Sequence, residues 1–397
     1  MNQPPQRLPF LDGLRGVAIL LVFFHHALYD AYRVIGLPWN GWFPGPAQDP
    51  SYYLFHPFSW GLGGVALFFV ISGFCIHTSY ATSSNKSWSG FFHRRFFRIY
   101  PPYVAALCLF LIARPLLTPA YSTPRQLDDV AIHLSLLQNL SSVTFFGYNP
   151  SFWSIATEAQ LYLLYPLLFL VAHRFGWATS MTIAAVGEIA IRLGWTVWRL
   201  AAVGESWPAA LPLGLAPTPL AYWFSWSIGA HMAECWLQRR ATAFSRLPLT
   251  PFVVATLATT LFRPLAEFNF LGYALISAVV IDRFLTGRWR APSVGIPAQL
   301  WRHLGLLGVV SYSFYLLHQP IGWTGVNRLS MWLAPEGAHP MLRMAFTVAL
   351  YPAILALSYA AYRWVELPSV RLGAALRRKR EQPPMRESEQ EPKRLAA

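Results

Sequence analysis

Apolar stretches long enough to cross a lipid bilayer recur along nearly the whole chain. Of its 397 residues, 55% are hydrophobic and only 12% are charged. About 18 or more mostly apolar residues in succession suffice for a helix to span the hydrocarbon core. Because the backbone polar groups of a segment in lipid must be satisfied within the protein, such segments fold as helices. The sequence therefore predicts an all-α fold, a polytopic bundle of membrane helices.

These stretches predict about ten membrane-spanning helices. Lys and Arg residues gather at the ends of alternate segments, and most of the 31 lie on the cytoplasmic side if the amino terminus is cytoplasmic. The reverse orientation violates the positive-inside rule. An even number of spans then places both termini in the cytoplasm. The spans are predicted at about residues 8–29, 60–80, 101–118, 151–172, 178–198, 218–237, 250–262, 268–282, 303–324 and 342–364.

The predicted organisation is a transmembrane domain, residues 1–370, followed by a short cytoplasmic tail, residues 371–397. The tail is rich in Glu, Pro and Lys, a composition typical of disorder, and its run of basic residues from Arg377 to Arg380 is suited to anionic lipid. The net charge of +14 is distributed over the ends of apolar segments. This distribution of basic residues indicates the orientation of the spans in the membrane and does not indicate a nucleic-acid partner.

Two ionisable side chains lie inside the first span, where burial of charge is costly and usually marks a functional site. Arg15 and His26 are eleven residues apart, so they project from one helix face about 16 Å apart along the axis. His25 points away from that face. Asp12 lies one turn before the arginine. The spacing favours His26 over His25 as the imidazole that shares a stripe with Arg15.

An arginine cluster follows the second span. Arg94, Arg95 and Arg98 lie at the cytoplasmic surface, and Arg94 and Arg98 share a helix face. Guanidinium groups bind phosphate bidentately, so this cluster, with Arg15, fits a phosphate-rich cytosolic ligand. The alternative is that these arginines bind no cytosolic ligand and only set the membrane topology and bind lipid head groups. Upstream, Ser72 and Gly73 are small enough to let another helix backbone approach closely.

A carboxylate and further histidines lie in later spans. Glu158 is about two turns into the fourth span, and Tyr162 follows it on the same face. A histidine and a carboxylate from different helices are the minimum apparatus for general base catalysis, in which the carboxylate orients the imidazole. A structural hydrogen-bonded pair is the alternative. His318 in the ninth span lies roughly level with Glu158, and His231 with Glu234 form another candidate pair.

Other site chemistries find no support. Cys75, Cys108 and Cys235 fall in apolar segments at unrelated spacings, which predicts neither a disulfide framework nor a metal site. The chain has no Gly-x-Ser-x-Gly, His-Glu-x-x-His or Walker motif. A transporter in which the intramembrane Arg, His and Glu form a proton relay is the chief rival to an enzyme. A third possible class of protein is a membrane scaffold or sensor, which would tolerate replacement of Arg15, His26 and Glu158.

Taken together and in order, these runs resemble the acyltransferase 3 family of integral-membrane acyltransferases, which modify hydroxyl groups of bacterial surface glycans, nodulation factors and macrolides. The resemblance covers nearly the whole chain. It favours the enzyme over the transporter. The matching runs are Phe10–Ile19 followed by His26, Phe68–Phe74, Arg94–Pro101, Trp153 and Ser154 with Glu158 and Tyr162, and Ser311 and Tyr312 through His318 and Pro320.

The resemblance implies a multi-pass protein of the bacterial inner membrane with a cytoplasmic acyl-CoA donor, usually acetyl-CoA, and a hydroxyl of a saccharide or glycolipid as acceptor, without a metal. We expect His26, aided by Glu158, to take the hydroxyl proton as the acceptor attacks the thioester; a transient acyl-histidine is the other possible course. The donor is expected at Arg15, Ser72, Arg94, Arg95 and Arg98. The acceptor is expected at Trp153, Tyr162 and His318.

Overall fold

The computed structural model describes an all-helical chain. No β-strand occurs among the residues it describes, which are 8–32, 51, 54–55, 59–113, 116, 127–140, 144–145, 147–203, 218–261 and 263–381. The helices of this part are α1 (Pro9–Tyr32), α2 (Gly61–Ala81), α3 (Trp88–Ala113), α4 (Leu127–Leu134), α5 (Phe152–Phe175), α6 (Trp177–Val203), α7 (Trp223–Leu237), α8 (Thr250–Leu261), α9 (Asn269–Leu285), α10 (Gly295–Val309), α11 (Ser311–Leu333), α12 (Pro340–Ala361) and α13 (Leu367–Glu381).

Six helical segments in the described residues are long and apolar enough to cross a membrane. The all-α membrane architecture predicted from the sequence is confirmed at this level, whereas the number of ten spans and the orientation of the termini stay predictions. The six segments are α1, α2, α3, α5, the stretch Leu265–Leu285 that contains α9, and the stretch Pro340–Lys379 that begins with α12.

Glycines set the closest helix contacts in the centre of the bundle. A Cβ atom added to Gly73 of α2 would lie 2.1 Å from the Trp226 carbonyl oxygen of α7, and one added to Gly229 of α7 would lie 1.9 Å from the Val70 carbonyl oxygen. Small residues at such crossings let helix backbones touch. The close approach predicted at Gly73 is therefore confirmed.

Close backbone contacts at glycines also join α1 to α10. A Cβ atom on Gly16 would lie 2.0 Å from the carbonyl oxygen of Leu304, and one on Gly308 would lie 1.8 Å from that of Asp12. This contact holds the first half of α1, which carries Arg15, against α10.

One sequence-based span differs from the structure. The predicted span 303–324 is two helices, α10 and α11, separated at Val310, and the Ser311 hydroxyl donates to the Gly308 carbonyl oxygen at 2.9 Å where α10 ends. The same carbonyl oxygen also accepts a backbone N–H at the end of α10, so the Ser311 hydroxyl adds a second donor where the helix is interrupted. The domain boundary at residue 370 stays a prediction; α13 crosses it and continues to Glu381, and residues 382–397 of the predicted tail lie outside the described residues.

Buried ion pairs let charged residues reside in the bundle. Arg192 of α6 pairs with Glu188 one turn earlier at 2.9 Å, and Arg343 of α12 pairs with Asp30 near the end of α1, also at 2.9 Å. Breaking a buried pair leaves an uncompensated charge, so such pairs fix the helices that carry them. The second pair ties the end of α1 opposite Arg15 to α12.

Candidate active site

A wide basic cavity opens at the end of the bundle where α1 begins and α2 ends. This cavity, the vestibule, has a volume of about 720 Å³. Asp12 accepts a 2.9 Å hydrogen bond from Arg15, and Glu366 accepts one of 2.7 Å from the Ser313 hydroxyl. Both acids are thus already engaged. The charged side chains that line the vestibule are Arg15, Arg94, Arg98, Arg377, Asp12 and Glu366.

A smaller cavity continues from the vestibule into the bundle. This inner cavity has a volume of about 110 Å³ and shares Arg15, Cys75 and Arg98 with the vestibule. Arg15 lies 3.1 Å from the Cys75 sulfur, so these two residues form the neck between the cavities. Beyond the neck, the polar lining of the inner cavity consists of Ser72, Arg95, Ser154, Glu158, Tyr162, Ser311, Tyr312 and Tyr315.

Glu158 organises the wall of the inner cavity. Its Oε1 atom accepts hydrogen bonds of 2.6 Å from the Ser72 hydroxyl and 2.6 Å from the Tyr162 hydroxyl. The indole of Trp226 donates to Ser72 at 3.2 Å. Arg95 also lines this cavity, and among the described residues no carboxylate lies within ion-pair distance of it. The cavity therefore holds a cation available to an anionic or strongly polar ligand.

The arginines of the α3 cluster divide between the two cavities. Arg94 and Arg98 both line the vestibule, as their shared helix face predicts, whereas Arg95 turns into the inner cavity. Arg98 reaches the neck and contributes to both. The cluster thus follows the path from the vestibule inward.

A third, smaller cavity contains His26. This histidine pocket has a volume of about 20 Å³ and is lined by His26, Asp30 and His318, together with residues of α11 and α12. The Nδ1 atom of His26 lies 2.9 Å from the Nε2 atom of His318. His25 faces elsewhere, with its Nδ1 atom 2.9 Å from the Ser59 carbonyl oxygen. Among the two adjacent histidines, His26 is therefore the one that lines a cavity.

The hydrogen bonds of His318 determine the tautomer of His26. The Nδ1 atom of His318 lies 2.9 Å from the Tyr315 carbonyl oxygen and 3.2 Å from that of Phe314, and carbonyl oxygens can only accept. Nδ1 of His318 therefore carries the proton, and Nε2 of the neutral ring accepts from His26. It follows that His26 is protonated at Nδ1 and has its lone pair on Nε2. In this tautomer Nε2 can accept a proton from a substrate.

The structure does not bring His26 and Glu158 together as the predicted pair, and their catalytic roles stay predictions. The two residues line different cavities, and both hydrogen bonds of Glu158 go to Ser72 and Tyr162. The reason is that α11 lies between α1 and α5. Tyr315 of α11 lines the inner cavity, its hydroxyl lies 2.6 Å from the Ser154 hydroxyl of α5, and its ring centre lies 5.6 Å from that of His318.

The structure gives the surroundings of three further candidate groups, Trp153, the pair of Glu234 and His231, and His318. Trp153, expected at the acceptor, is 3% exposed, packs on the rings of Phe145 and Tyr222, and lines neither the inner cavity nor the histidine pocket. Glu234, a candidate partner of His231, contacts His77 at 2.7 Å. His318, predicted to bind the acceptor, lies 2.9 Å from His26 in the histidine pocket, and its role toward the acceptor stays a prediction.

Sequence reasoning missed several residues of these cavities. It assigned Tyr315 no role, Cys75 no role beyond an apolar segment, and Arg377 only a place in a basic run suited to anionic lipid. No spacing rule distinguishes them from their neighbours, because each is brought to its cavity by a helix contact between distant parts of the chain.

Comparisons with known proteins agree with the resemblance found in the sequence. The chain is similar to Acyltransferase MdmB of Streptomyces mycarofaciens, with 28% identity over 195 residues that cover 46% of each protein. It is similar to O-acetyltransferase OatA of Staphylococcus aureus, with 28% identity over 184 residues, 43% of this chain and 26% of the relative. It is also similar to the Putative peptidoglycan O-acetyltransferase YrhL of Bacillus subtilis, with 25% identity over 347 residues, 81% of this chain and 49% of the relative.

The matched regions thus span about half or less of the length of these relatives. No solved structure shows a significant match. The acyltransferase 3 family, described as an acyltransferase domain, matches residues 8–363, a range that includes the arginines of α1 and α3, Glu158, His26 and His318. The chain therefore belongs to the acyltransferase 3 family.

Proposed function

We propose that this protein is a membrane O-acyltransferase that moves an acetyl group from cytoplasmic acetyl-CoA to a hydroxyl of a surface or lipid-linked saccharide. The observation that carries the proposal is the continuity of the arginine-lined vestibule with the inner cavity through Arg15, Cys75 and Arg98. A polyanionic head and a thin acylated arm, the two parts of acyl-CoA, fit this shape. The names of two relatives, an O-acetyltransferase and a putative peptidoglycan O-acetyltransferase, support the same reaction.

The proposed donor site extends along the arginines that line the vestibule and the inner cavity. Arg94 and Arg98 bind phosphates of CoA in the vestibule through bidentate hydrogen bonds. The pantetheine arm passes Arg15 and Cys75 at the neck. The thioester then enters the inner cavity, where Arg95 and the hydroxyl groups that Glu158 holds, those of Ser72 and Tyr162, provide donors for its carbonyl oxygen.

Acyl transfer uses His26 as a general base. Nε2 of His26 takes the proton of the acceptor hydroxyl while the hydroxyl oxygen attacks the thioester carbonyl carbon. The carbon–sulfur bond then breaks, the imidazolium returns the proton to the CoA sulfur, and the products are the ester and the free thiol. Tyr315 lies between the inner cavity and His318, so its hydrogen bond to Ser154 breaks when the thioester approaches His26.

The proposed topology places the protein in the inner membrane of a bacterium, with ten spans and both termini in the cytoplasm. The Lys and Arg bias supports this orientation, because it leaves most basic residues inside. The vestibule then opens to cytoplasmic CoA, since it lies where α1 begins. The acceptor saccharide approaches from the opposite side, where the histidine pocket lies nearer the far end of α1.

The decisive experiment is an analysis of O-linked acetyl esters on the surface glycans of a deletion strain. We expect the deletion to remove the esters, and the wild-type gene and the His25→Gln variant to restore them. The His26→Gln variant should insert into the membrane in equal amount and restore none. A general base contributes about 10²- to 10⁴-fold to a rate, so residual ester should fall below detection. Unchanged esters in the deletion strain, or restoration by His26→Gln, would contradict the proposal.

Purified protein in proteoliposomes distinguishes the enzyme from a transporter. With labelled acetyl-CoA outside and a saccharide acceptor inside, the proposal expects label on the acceptor and stoichiometric release of CoA thiol. Movement of a solute without consumption of acetyl-CoA would favour the transporter instead.

A further inference from the structure

The last described helix, α13, lies beyond the region that the family covers, which ends at residue 363. It is nevertheless fixed to the bundle. The His93 Nε2 atom of α3 lies 2.8 Å from the Gly373 carbonyl oxygen, and the Ser369 hydroxyl donates to the Phe97 carbonyl oxygen at 2.5 Å. A Cβ atom on Gly373 would lie 2.6 Å from the Phe97 side chain, so α13 and α3 are in close contact. The helix that carries Arg94 and Arg98 thus also positions α13.

The contact between α13 and α3 places Arg377, the first residue of the basic run, at the vestibule. Arg377 lines the vestibule and is half-buried, whereas the adjacent Arg378 and Lys379 are exposed. The Nε atom of Arg377 is buried and has no hydrogen-bond partner among the described residues. Buried polar groups are normally satisfied. The side chain is therefore arranged to donate to something that enters the vestibule.

The charges around Arg377 define what that ligand is. Asp12 is bonded to Arg15, and Glu366 accepts from Ser313, while Arg98 has no carboxylate within ion-pair distance in the described residues. Positive charge therefore exceeds negative charge in the cavity. Guanidinium groups that three helices, α1, α3 and α13, contribute to one cavity fit a ligand with several phosphate oxygens. The volume of about 720 Å³ is enough for a nucleotide.

We propose that α13 completes the donor site and that Arg377, together with Arg94 and Arg98 of the adjacent α3, binds a phosphate of the nucleotide part of acyl-CoA. The inference rests on the proposed function and adds to it a binding residue from outside the family region. A phosphate of an anionic lipid offers the same chemistry from another source. The two are distinguished by the geometry of access: Arg377 points into the cavity, and its exposed neighbours Arg378 and Lys379 are the residues placed for a lipid surface.

The test compares the full chain with its R377Q and R378Q variants in nanodiscs of phosphatidylcholine alone and of phosphatidylcholine with phosphatidylglycerol. Calorimetry measures the Kd of CoA, and thermal unfolding checks that all three proteins are folded. We expect R377Q to weaken CoA binding about tenfold in both lipids, the size expected for one lost charge-assisted hydrogen bond. R378Q, the matched control on the same helix, should leave the Kd unchanged.

The outcomes separate the two hypotheses. Wild-type protein that binds no CoA would overturn the proposed function and this assignment with it. Wild-type binding with an unchanged Kd in R377Q, or an equal loss in R378Q, would overturn the assignment alone. An effect of R377Q confined to nanodiscs with phosphatidylglycerol would also overturn it, because the arginine would then bind a lipid head group.

Discussion

His318 occupies the place at which a Ser-His-Asp triad uses a carboxylate. It receives the Nδ1 proton of His26 in a 2.9 Å hydrogen bond, and its own Nδ1 proton is held by backbone carbonyl oxygens of α11. In triads, an orienting group that enforces the wrong tautomer reduces the rate by several orders of magnitude. In the proposed mechanism a neutral imidazole performs the orienting role, whereas the buried carboxylate that lines the same pocket, that of Asp30, is paired with Arg343.

The orienting role predicts different results for two His318 variants. His318→Leu removes the acceptor of the His26 proton, so kcat should fall by about 10²-fold while KM for acetyl-CoA stays unchanged. In His318→Gln the amide oxygen can accept the same hydrogen bond, and kcat should return to within about tenfold of wild type. Steady-state kinetics of acetyl transfer in nanodiscs provide the measurement. If His318 instead bound the acceptor, both variants would raise KM for the saccharide, and the glutamine would give no rescue.

At the scale of helices, backbone contacts through glycine decide where the cavities lie. The α2–α7 crossing at Gly73 and Gly229 brings Trp226 of α7 within hydrogen-bond distance of Ser72, next to Glu158. The position of α11 between α1 and α5 then separates the inner cavity from His26. Helix packing of this kind depends on small residues and close van der Waals contact, since lipid gives helices no hydrophobic reason to associate.

Alanine substitutions of helix glycines should therefore have opposite effects at different sites. In Gly73→Ala and Gly229→Ala the new methyl group would meet a backbone oxygen near 2 Å, and overpacking of this kind costs about 1–3 kcal/mol. Gly187 and Gly194 of α6 have nothing within 4 Å of an added Cβ, so alanine there should stabilise its helix by about 0.5–1 kcal/mol. Thermal unfolding of the solubilised protein measures both. A Gly73→Ala protein as stable as the wild type would show that the crossing is looser than described.

At the scale of the whole molecule, α1 extends from the vestibule, the proposed donor site, to the histidine pocket, which contains the proposed base. Its 24 residues extend for about 36 Å, with Arg15 at the neck of the vestibule, His26 farther along and Asp30 near the far end. The far end is anchored by the buried pair of Asp30 and Arg343. One helix thus fixes the distance between the proposed donor entrance and the proposed base.

The sidedness of the molecule can be tested at Cys75. This thiol lies at the neck shared by the vestibule and the inner cavity, Cys235 is buried, and Cys108 is exposed. In a Cys108→Ser background, a membrane-impermeant maleimide should label Cys75 in inverted vesicles and not in intact spheroplasts. Acetyl-CoA should slow the labelling, because its arm passes the thiol. Labelling from the outer face would contradict the cytoplasmic position of the vestibule.

The sequence by itself determined the helical membrane class and that Arg15 and His26, rather than His25, would face cavities of the bundle. These depend on hydropathy and on helical spacing, which are local properties of a chain. Only the tertiary structure decided that Glu158 bonds to Ser72 and Tyr162, that His318 holds His26, and that Arg377 enters the vestibule. The physical reason is that periodicity gives the direction of a side chain from its own helix, whereas its partner depends on which helix packs beside it.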